Sequence, residues 1–272
     1  MSALPAADAA RAVTVVKLGG RALEGADAVE ALAQDVATLE ERVAIVHGGG
    51  AEASAWCARL GIAPRFHDGL RVTDPATLPV VVAVLAGLAN KRLVAALRAQ
   101  GVNAAGISAL DGGLLEVAPH PLAGTLGAVG AVRGARPALL EALWSAGITP
   151  VIASIAAGAG GALLNVNADD VAAALAAALD ARLVLLSDTP GLVLDGAPVA
   201  SLAVSDIEPA LARPDVTGGM RPKLRAAGEA IAAGARSVTL ADWRGAGTLA
   251  HALAGARGTT LVPDPDPVES SS

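Results

Sequence analysis

The sequence predicts an α/β protein: a three-layer sandwich with a mainly parallel central sheet, built as two lobes. Three observations carry this expectation. Short β-branched runs alternate with Ala/Leu-rich stretches long enough for helices, which is the βαβα pattern of a parallel sheet covered on both faces. The chain has 272 residues, enough to bury a sizeable core. Its hydrophobic fraction of 53% comes mostly from Ala, Val and Leu, with aromatic residues at 1%, a composition suited to helices packed closely on a sheet.

The elements follow in order. Strands are expected at 13–16, 43–46, 102–105, 149–152, 182–186, 237–240 and 259–262. Helices are expected at 28–39, at 51–60 with Gly61 as its C-cap, and at 75–99, 137–146, 168–179, 207–212 and 223–233. Between 108 and 133 the pattern breaks into short apolar pieces separated by glycines, which predicts antiparallel hairpins inserted on the parallel core. The Gly/Ala stretch 156–162 reads as the loop that divides the lobes, with the boundary at Asn167, giving lobes 1–167 and 168–272. Residues 263–272 read as a frayed polar tail.

Composition excludes several function classes. The net charge is -6 and no Lys/Arg cluster occurs, so there is no nucleic-acid footprint. The longest apolar run, 79–89, falls short of the ~20 residues that span a bilayer. Residues 1–12 lack the regions of a signal peptide, and the single cysteine, Cys57, forms no intrachain disulfide and reads as a buried small hydrophobe. A soluble cytoplasmic protein is expected.

The residues that could carry chemistry are few. Of 20 Lys+Arg residues only Lys17, Lys91 and Lys223 are lysines. Where arginine serves nearly everywhere, a retained lysine marks a place needing a compact charge on a flexible stem. Lys17 opens Lys17-Leu18-Gly19-Gly20 after the first strand, and Lys223 follows Thr217-Gly218-Gly219-Met220 at the start of a helix; both are candidate phosphate ligands. Lys91 lies mid-helix and reads as a solvated or interface residue. The second strand runs into His47-Gly48-Gly49-Gly50, so two glycine turns at strand carboxyl ends could form a double anion cradle. Neither is a Walker loop or G-x-G-x-x-G. His47 beside three glycines reads as a structural hydrogen-bonder.

Asn165-Val166-Asn167-Ala168-Asp169 opens the second lobe's helix. Asn167 can cap it, Asn165 offers an amide to a substrate, and Asp169 offers a carboxylate able to orient cations. Arg71, in the turn Gly69–Asp74, could hold a carboxylate bidentately. Asp188 and Gly191, in the turn after strand 182–186, could line a nucleotide site or merely turn the chain.

Taken together, these six motifs resemble the amino acid kinase family over about 13–262, most closely its branch acting on N-acetyl-L-glutamate. The resemblance implies the fold of that family, with the amino-acid substrate and the dimer interface in lobe 1–167 and ATP in lobe 168–272. It implies phosphoryl transfer from ATP, with Mg²⁺ held mainly by the nucleotide phosphates and no metal site of the protein, to the substrate's side-chain carboxylate in arginine biosynthesis. By the same resemblance, Lys17 and Lys223 neutralise the transferring phosphoryl group and Gly20 and Gly49 offer it amides. Gly49, Gly50, Arg71, Asn165 and Asn167 hold the substrate, and Asp169 organises the lysines. Asp188, Gly191, Thr217, Gly218, Gly219 and Met220 border the nucleotide. The chemistry is self-consistent: a carboxylate with a pKa near about 4.3 is already an anion at neutral pH, so it needs positioning and charge neutralisation, not a base.

The chain departs from the family's pattern at Ser108-Ala109-Leu110-Asp111-Gly112, where relatives commonly show Gly-Lys before Asp-Gly. The segment before Val13 is too short for the extra N-terminal helix of arginine-inhibited hexamers, so an arginine-insensitive homodimer is expected. The competing readings are a kinase for aminoadipate carried on an acidic protein, a non-catalytic nucleotide sensor, and an NAD-dependent oxidoreductase, the last weakened by the missing dinucleotide fingerprint.

Overall fold

A computed structural model describes residues 12–23, 25–217 and 220–264. From the amino end it contains β1 (Val13–Leu18), α1 (Ala26–Ala37), β2 (Arg42–His47), α2 (Gly50–Arg59), β3 (Phe66–His67), β4 (Leu70–Arg71), α3 (Thr77–Val82), a π-helical segment (Ala83–Ala89) and α4 (Asn90–Ala99). Then come β5 (Ala104–Ser108), β6 (Leu115–Pro119), α5 (Ala123–Leu126), β7 (Val129–Ala135), α6 (Ala138–Ser145), β8 (Thr149–Ala153), β9 (Ile155–Ala157), β10 (Leu163–Val166) and α7 (Ala168–Ala178). The rest comprises β11 (Arg182–Ser187), β12 (Val193–Leu194), β13 (Ala197–Pro198), β14 (Ser201–Ala203), α8 (Ile207–Leu211), α9 (Met220–Ala232), β15 (Ser237–Asp242), α10 (Thr248–Leu253) and β16 (Thr259–Val262).

The main sheet is eight-stranded, in the order β14-β16-β15-β11-β1-β2-β8-β5. From β15 to β5 every pairing is parallel, and β16 joins β15 antiparallel. Both faces are buried, and alternate side chains feed opposite cores. Val15, Ala44, Val46, Leu183 and Leu185 join α7 and α9 on one face, whereas Val16, Leu18, Val43, Ile45, Val184 and Leu186 join α1, α4 and α10 on the other. The buried residues of α1, Val29, Leu32, Ala33 and Val36, recur at helical spacing and so form one stripe. Asp35, on the same helix, accepts the Gly247 and Leu249 amides and thereby caps α10. Gly61 ends α2 as expected: at φ 73° it lets the Ile62 amide reach the Cys57 carbonyl at 2.8 Å. Cys57 is fully buried.

The three-layer sandwich and all seven expected strands are therefore present. The hairpin expected in 108–133 is β6–β7, part of a second, four-stranded sheet in the order β6-β7-β10-β9. That sheet refines one reading: 156–162, expected as a loop, holds the end of β9 and the tight turn into β10, with Gly160 and Gly161 at positive φ. A Gly/Ala-rich stretch looks like a linker in sequence, yet the same glycines allow a hairpin turn. Arg71 likewise stands in the short β3–β4 hairpin, not in a turn.

The helix expected at 75–99 runs from Thr77 to Ala99, the one helix among the described residues with the length and hydropathy to cross a bilayer. Only 39% of its apolar window is buried, so it turns one side into the core. Val81, Val84, Leu85, Leu93 and Leu97 are buried, and its fully buried Asn90 donates to the Val151 carbonyl at 2.9 Å.

Candidate active site

Strand register brings the motifs together. Lys17 is level with Val46 and Leu185, and Leu18 with His47 and Leu186, so the Lys17-Leu18-Gly19, His47-Gly48-Gly49 and Ser187-Asp188 segments share one carboxyl edge of the sheet. The chain winds away from β1 on both sides, towards β2 and towards β11, and the crevice at such a switch point is where open α/β sheets bind ligands.

A cavity of about 340 Å³ opens there, within the size range of small-ligand sites (~300–1,000 Å³). Its polar lining includes Lys17, Gly48, Gly49, Gly50, Arg71, Asn165, Asn167 and Asp169. An apolar wall is made by Ala53, Phe66, Val81, Leu85 and Val129. Lys17 Nζ lies 2.9 Å from Asp169 Oδ1, which ties the end of β1 to the first turn of α7. Lys223, in the first turn of α9, donates from Nζ to Ser187 Oγ at 2.8 Å and to Thr189 Oγ1. Burial lowers its pKa, and the charge of Lys17 adds to that, while Asp169 and Asp188 act in the opposite sense. The two lysines and Asp169 thus interact, with Asp169 paired directly to Lys17.

Arg71 is 92% removed from solvent, being 8% exposed. Its Nη2 donates to the Gly50 carbonyl at 2.7 Å and to Ser54 Oγ at 2.6 Å, and the Phe66 ring stacks on the guanidinium at 4.8 Å. Its Nη1 is buried without a hydrogen-bond partner. A buried donor left unmatched costs about 1–3 kcal/mol, so this half of the fork is suited to an anionic ligand.

Gly49 caps α2, whose first amides have no intrahelical acceptor. A Cβ there would stand 2.6 Å from Leu85 Cδ2 at φ 153°, so only glycine fits between the helix start and the π-helical segment. His47 is confirmed as structural. It is fully buried, Nδ1 pairs with the Gly48 carbonyl at 2.8 Å, and Nε2 lies 3.1 Å from Asn90 Nδ2. An amide NH₂ only donates, so Nε2 accepts and the proton sits on Nδ1. Burial lowers the pKa of His47 to about 4, keeping it neutral.

The other predicted positions fall as follows. Asn167 accepts the Asp169 amide at 3.0 Å and is the N-cap of α7, so its side-chain oxygen is already engaged. Asn165 donates to Thr73 Oγ1 at 3.1 Å while lining the cavity. Met220 is not in the glycine loop: it is the first residue of α9, with its side chain in the core. Gly191 is fixed by packing, because at φ 104° a Cβ would lie 2.9 Å from Thr259 N. Lys91 is exposed yet donates to Asn90 Oδ1 at 3.0 Å and the Gly106 carbonyl at 3.1 Å. Gly20 begins the 3₁₀ turn after β1, Asp188 and Thr217 are exposed, and Gly218 and Gly219 lie outside the described residues. Ser54, Phe66 and Leu85 had no signal of their own in the sequence, whereas Ser187 and Thr189 belong to the motif Ser187-Asp188-Thr189-Pro190-Gly191 without a role assigned to either.

The parallel part of the sheet carries glycine turns and two lysines at its carboxyl edge, and the matching family model, the amino acid kinase family, covers residues 12–242. The chain belongs to that family. It is 46% identical to the acetylglutamate kinase of Methanopyrus kandleri over 241 residues, 85% of this chain and 95% of that one. It is 46% identical to the acetylglutamate kinase of Rubrobacter xylanophilus, covering 91% of this chain and 96% of that one. Among solved structures, N-acetylglutamate synthase from Neisseria gonorrhoeae, complexed with coenzyme A and N-acetyl-glutamate, superposes with a TM-score of 0.79 at 25% identity, over 93% of this chain and 60% of that one. Giardia lamblia carbamate kinase bound to AMP-PNP shares the fold, with a TM-score of 0.68 at 17% identity over 94% of this chain and 99% of that one.

Proposed function

We propose that the protein transfers the γ-phosphoryl group of ATP to the side-chain carboxylate of N-acetyl-L-glutamate, giving an acyl phosphate in arginine biosynthesis. The observation that carries this reading is the cavity, where a lysine–aspartate pair and an arginine with one unmatched donor line the same space as an apolar wall. A doubly anionic acylamino acid matches that lining. One carboxylate meets Arg71, the other approaches Lys17, and the acetyl methyl group meets Val81 and Leu85.

The nucleophile is already ionised at neutral pH, so Asp169 organises cations and removes no proton. Lys17 and Lys223 approach the transferring group from the two sides and offset the repulsion between nucleophile and phosphate. Amides of Gly20 and Gly49 face its oxygens; Gly50, Asn165 and Asn167 complete the substrate side. Asp188, Gly191, Thr217, Gly218, Gly219 and Met220 border ATP, Gly191 and Met220 through backbone shape. Magnesium-bound ATP supplies the phosphoryl group and neutralises its charge. Mg²⁺ is held chiefly by the nucleotide phosphates.

The lobes meet at Asn167, with 1–167 taking the amino acid and 168–272 the nucleotide. The protein works in the cytoplasm as a homodimer. Its contact face is the apolar groove of Trp56, Leu60, Pro79, Val80, Val84 and Leu88, in which Leu60 is 60% and Leu88 47% exposed; sizing in solution tests this. The activity is tested by ATP-dependent hydroxamate formation with N-acetylglutamate, N-acetylaspartate, free glutamate and carrier-linked aminoadipate. N-acetylglutamate should be preferred, and activity with none of the four overturns the reading.

A further inference from the structure

Arg71 is held in an unusual way. One terminal nitrogen, Nη2, donates both to the Gly50 carbonyl at 2.7 Å and to Ser54 Oγ at 2.6 Å, so both of its hydrogens are engaged. Phe66, the chain's one phenylalanine, stacks on the guanidinium at 4.8 Å although its own side of the hairpin leaves it 55% exposed. A guanidinium is planar and rigid. Two acceptors on one nitrogen fix the direction of the fork, and a ring on its face fixes the tilt. With Nη2 used, Nε and Nη1 remain, and Nη1 is buried and without a hydrogen-bond partner, on a residue that lines the cavity.

We infer that Ser54 is a positioning residue for substrate recognition: its hydroxyl sets the Arg71 guanidinium so that Nη1 meets the substrate carboxylate that is not phosphorylated. The inference rests on the proposed acylamino-acid substrate and adds a residue to its binding side. Ser54 sits on α2, four residues after Gly50, so one turn of helix carries both acceptors. The register of α2 is in turn held where Gly49 abuts Leu85. Carbonyl and hydroxyl thus share a rigid mount, and loss of the hydroxyl leaves the guanidinium free to turn about the remaining bond.

The test compares N-acetylglutamate with 4-acetamidobutyrate, which keeps the acetyl amide and the reacting carboxylate but lacks the other carboxylate. Ser54→Ala should raise KM for N-acetylglutamate by about 5- to 20-fold with kcat and KM for ATP within about twofold. The inhibition constant of 4-acetamidobutyrate should stay within about twofold of wild type, because that ligand has nothing for Nη1 to hold. Ser54→Thr, which keeps a hydroxyl, should restore most of the affinity, and circular dichroism confirms folding. Ser54→Ala with an unchanged KM overturns the inference, as does equal weakening of both ligands, which marks a general structural role. Arg71→Ala separates this from the broader reading. If it erases the preference for N-acetylglutamate while Ser54→Ala does not, the role of Ser54 fails and that of Arg71 stands. If neither variant alters the preference, the assignment of Arg71 itself fails.

Discussion

The ion pair of Lys17 and Asp169, 2.9 Å long, joins the end of the first strand to the first turn of the helix that opens the second lobe. Its Asp169 side chain is 45% exposed and that of Lys17 14%. A pair this open to water contributes on the order of 1 kcal/mol or less to stability, so stability alone does not account for it. Its place at the mouth of the crevice does. Asp169→Asn, which keeps the shape and removes the charge, should lower kcat by roughly 100-fold and leave unfolding within about 1 kcal/mol of wild type. Steady-state kinetics beside urea denaturation check this; a large stability loss with kcat intact contradicts it.

Lys223 donates to two hydroxyls, Ser187 Oγ and Thr189 Oγ1, which aim it back over the end of β11. Lys223→Gln should lower kcat by about 100-fold or more with KM for N-acetylglutamate little changed, because it removes charge felt mainly in the transition state. Lys223→Arg should recover little activity, since a planar fork does not fit a seat formed by two hydroxyls around a point charge. A rise in KM for the amino acid with kcat preserved would place Lys223 on the wrong side of the site.

Gly49 has a would-be Cβ 2.6 Å from Leu85 Cδ2 and a φ of 153°. Gly49→Ala should therefore destabilise the fold by about 2–4 kcal/mol, combining overpacking with backbone strain. The accompanying shift of the α2 N-terminus should raise KM for the amino acid more than KM for ATP. The midpoint of urea unfolding and the two KM values decide it.

His47 has its pKa lowered from 6.5 to about 4 by burial, so the folded protein holds it neutral. The sign follows from linkage. Between those values the unfolded chain binds the proton and the folded one does not, so stability is whole above about pH 6.5 and falls as pH drops towards about 4. The loss amounts to roughly 3 kcal/mol at most. Asp170, raised to about 6 by its surroundings and by neighbouring Asp169, titrates in the opposite sense over the same range. Comparison with His47→Gln cancels that contribution: the stability difference between the two proteins should be flat above about pH 6.5 and should shift against wild type below it. A difference independent of pH contradicts the buried neutral state.

Seven of the eight strands of the central sheet were legible because each is a short apolar run with a turn at its end, and both lysines stood out by scarcity. The small elements were not. β3 and β4 are two residues each and β14 is three, too short for any alternation to register. The β9–β10 hairpin hides in Gly/Ala composition that reads equally well as a linker. Ser54 lies in an Ala-rich helix and becomes informative only when the hairpin carrying Arg71 folds over it, a contact across 17 residues of chain. Gly191 shows the converse: a motif glycine whose immediate physical reason is close packing on Thr259.

The most direct test of the central claim is to follow the attacking oxygen. N-acetylglutamate labelled with ¹⁸O in its side-chain carboxylate is incubated with the protein, ATP, Mg²⁺ and hydroxylamine, and the released phosphate is analysed by mass spectrometry. If the carboxylate attacks the γ-phosphorus, the bridging oxygen leaves with phosphate when hydroxylamine takes the acyl group, so each hydroxamate formed yields one phosphate carrying a single ¹⁸O. Phosphate released without label, or no hydroxamate at all, contradicts it.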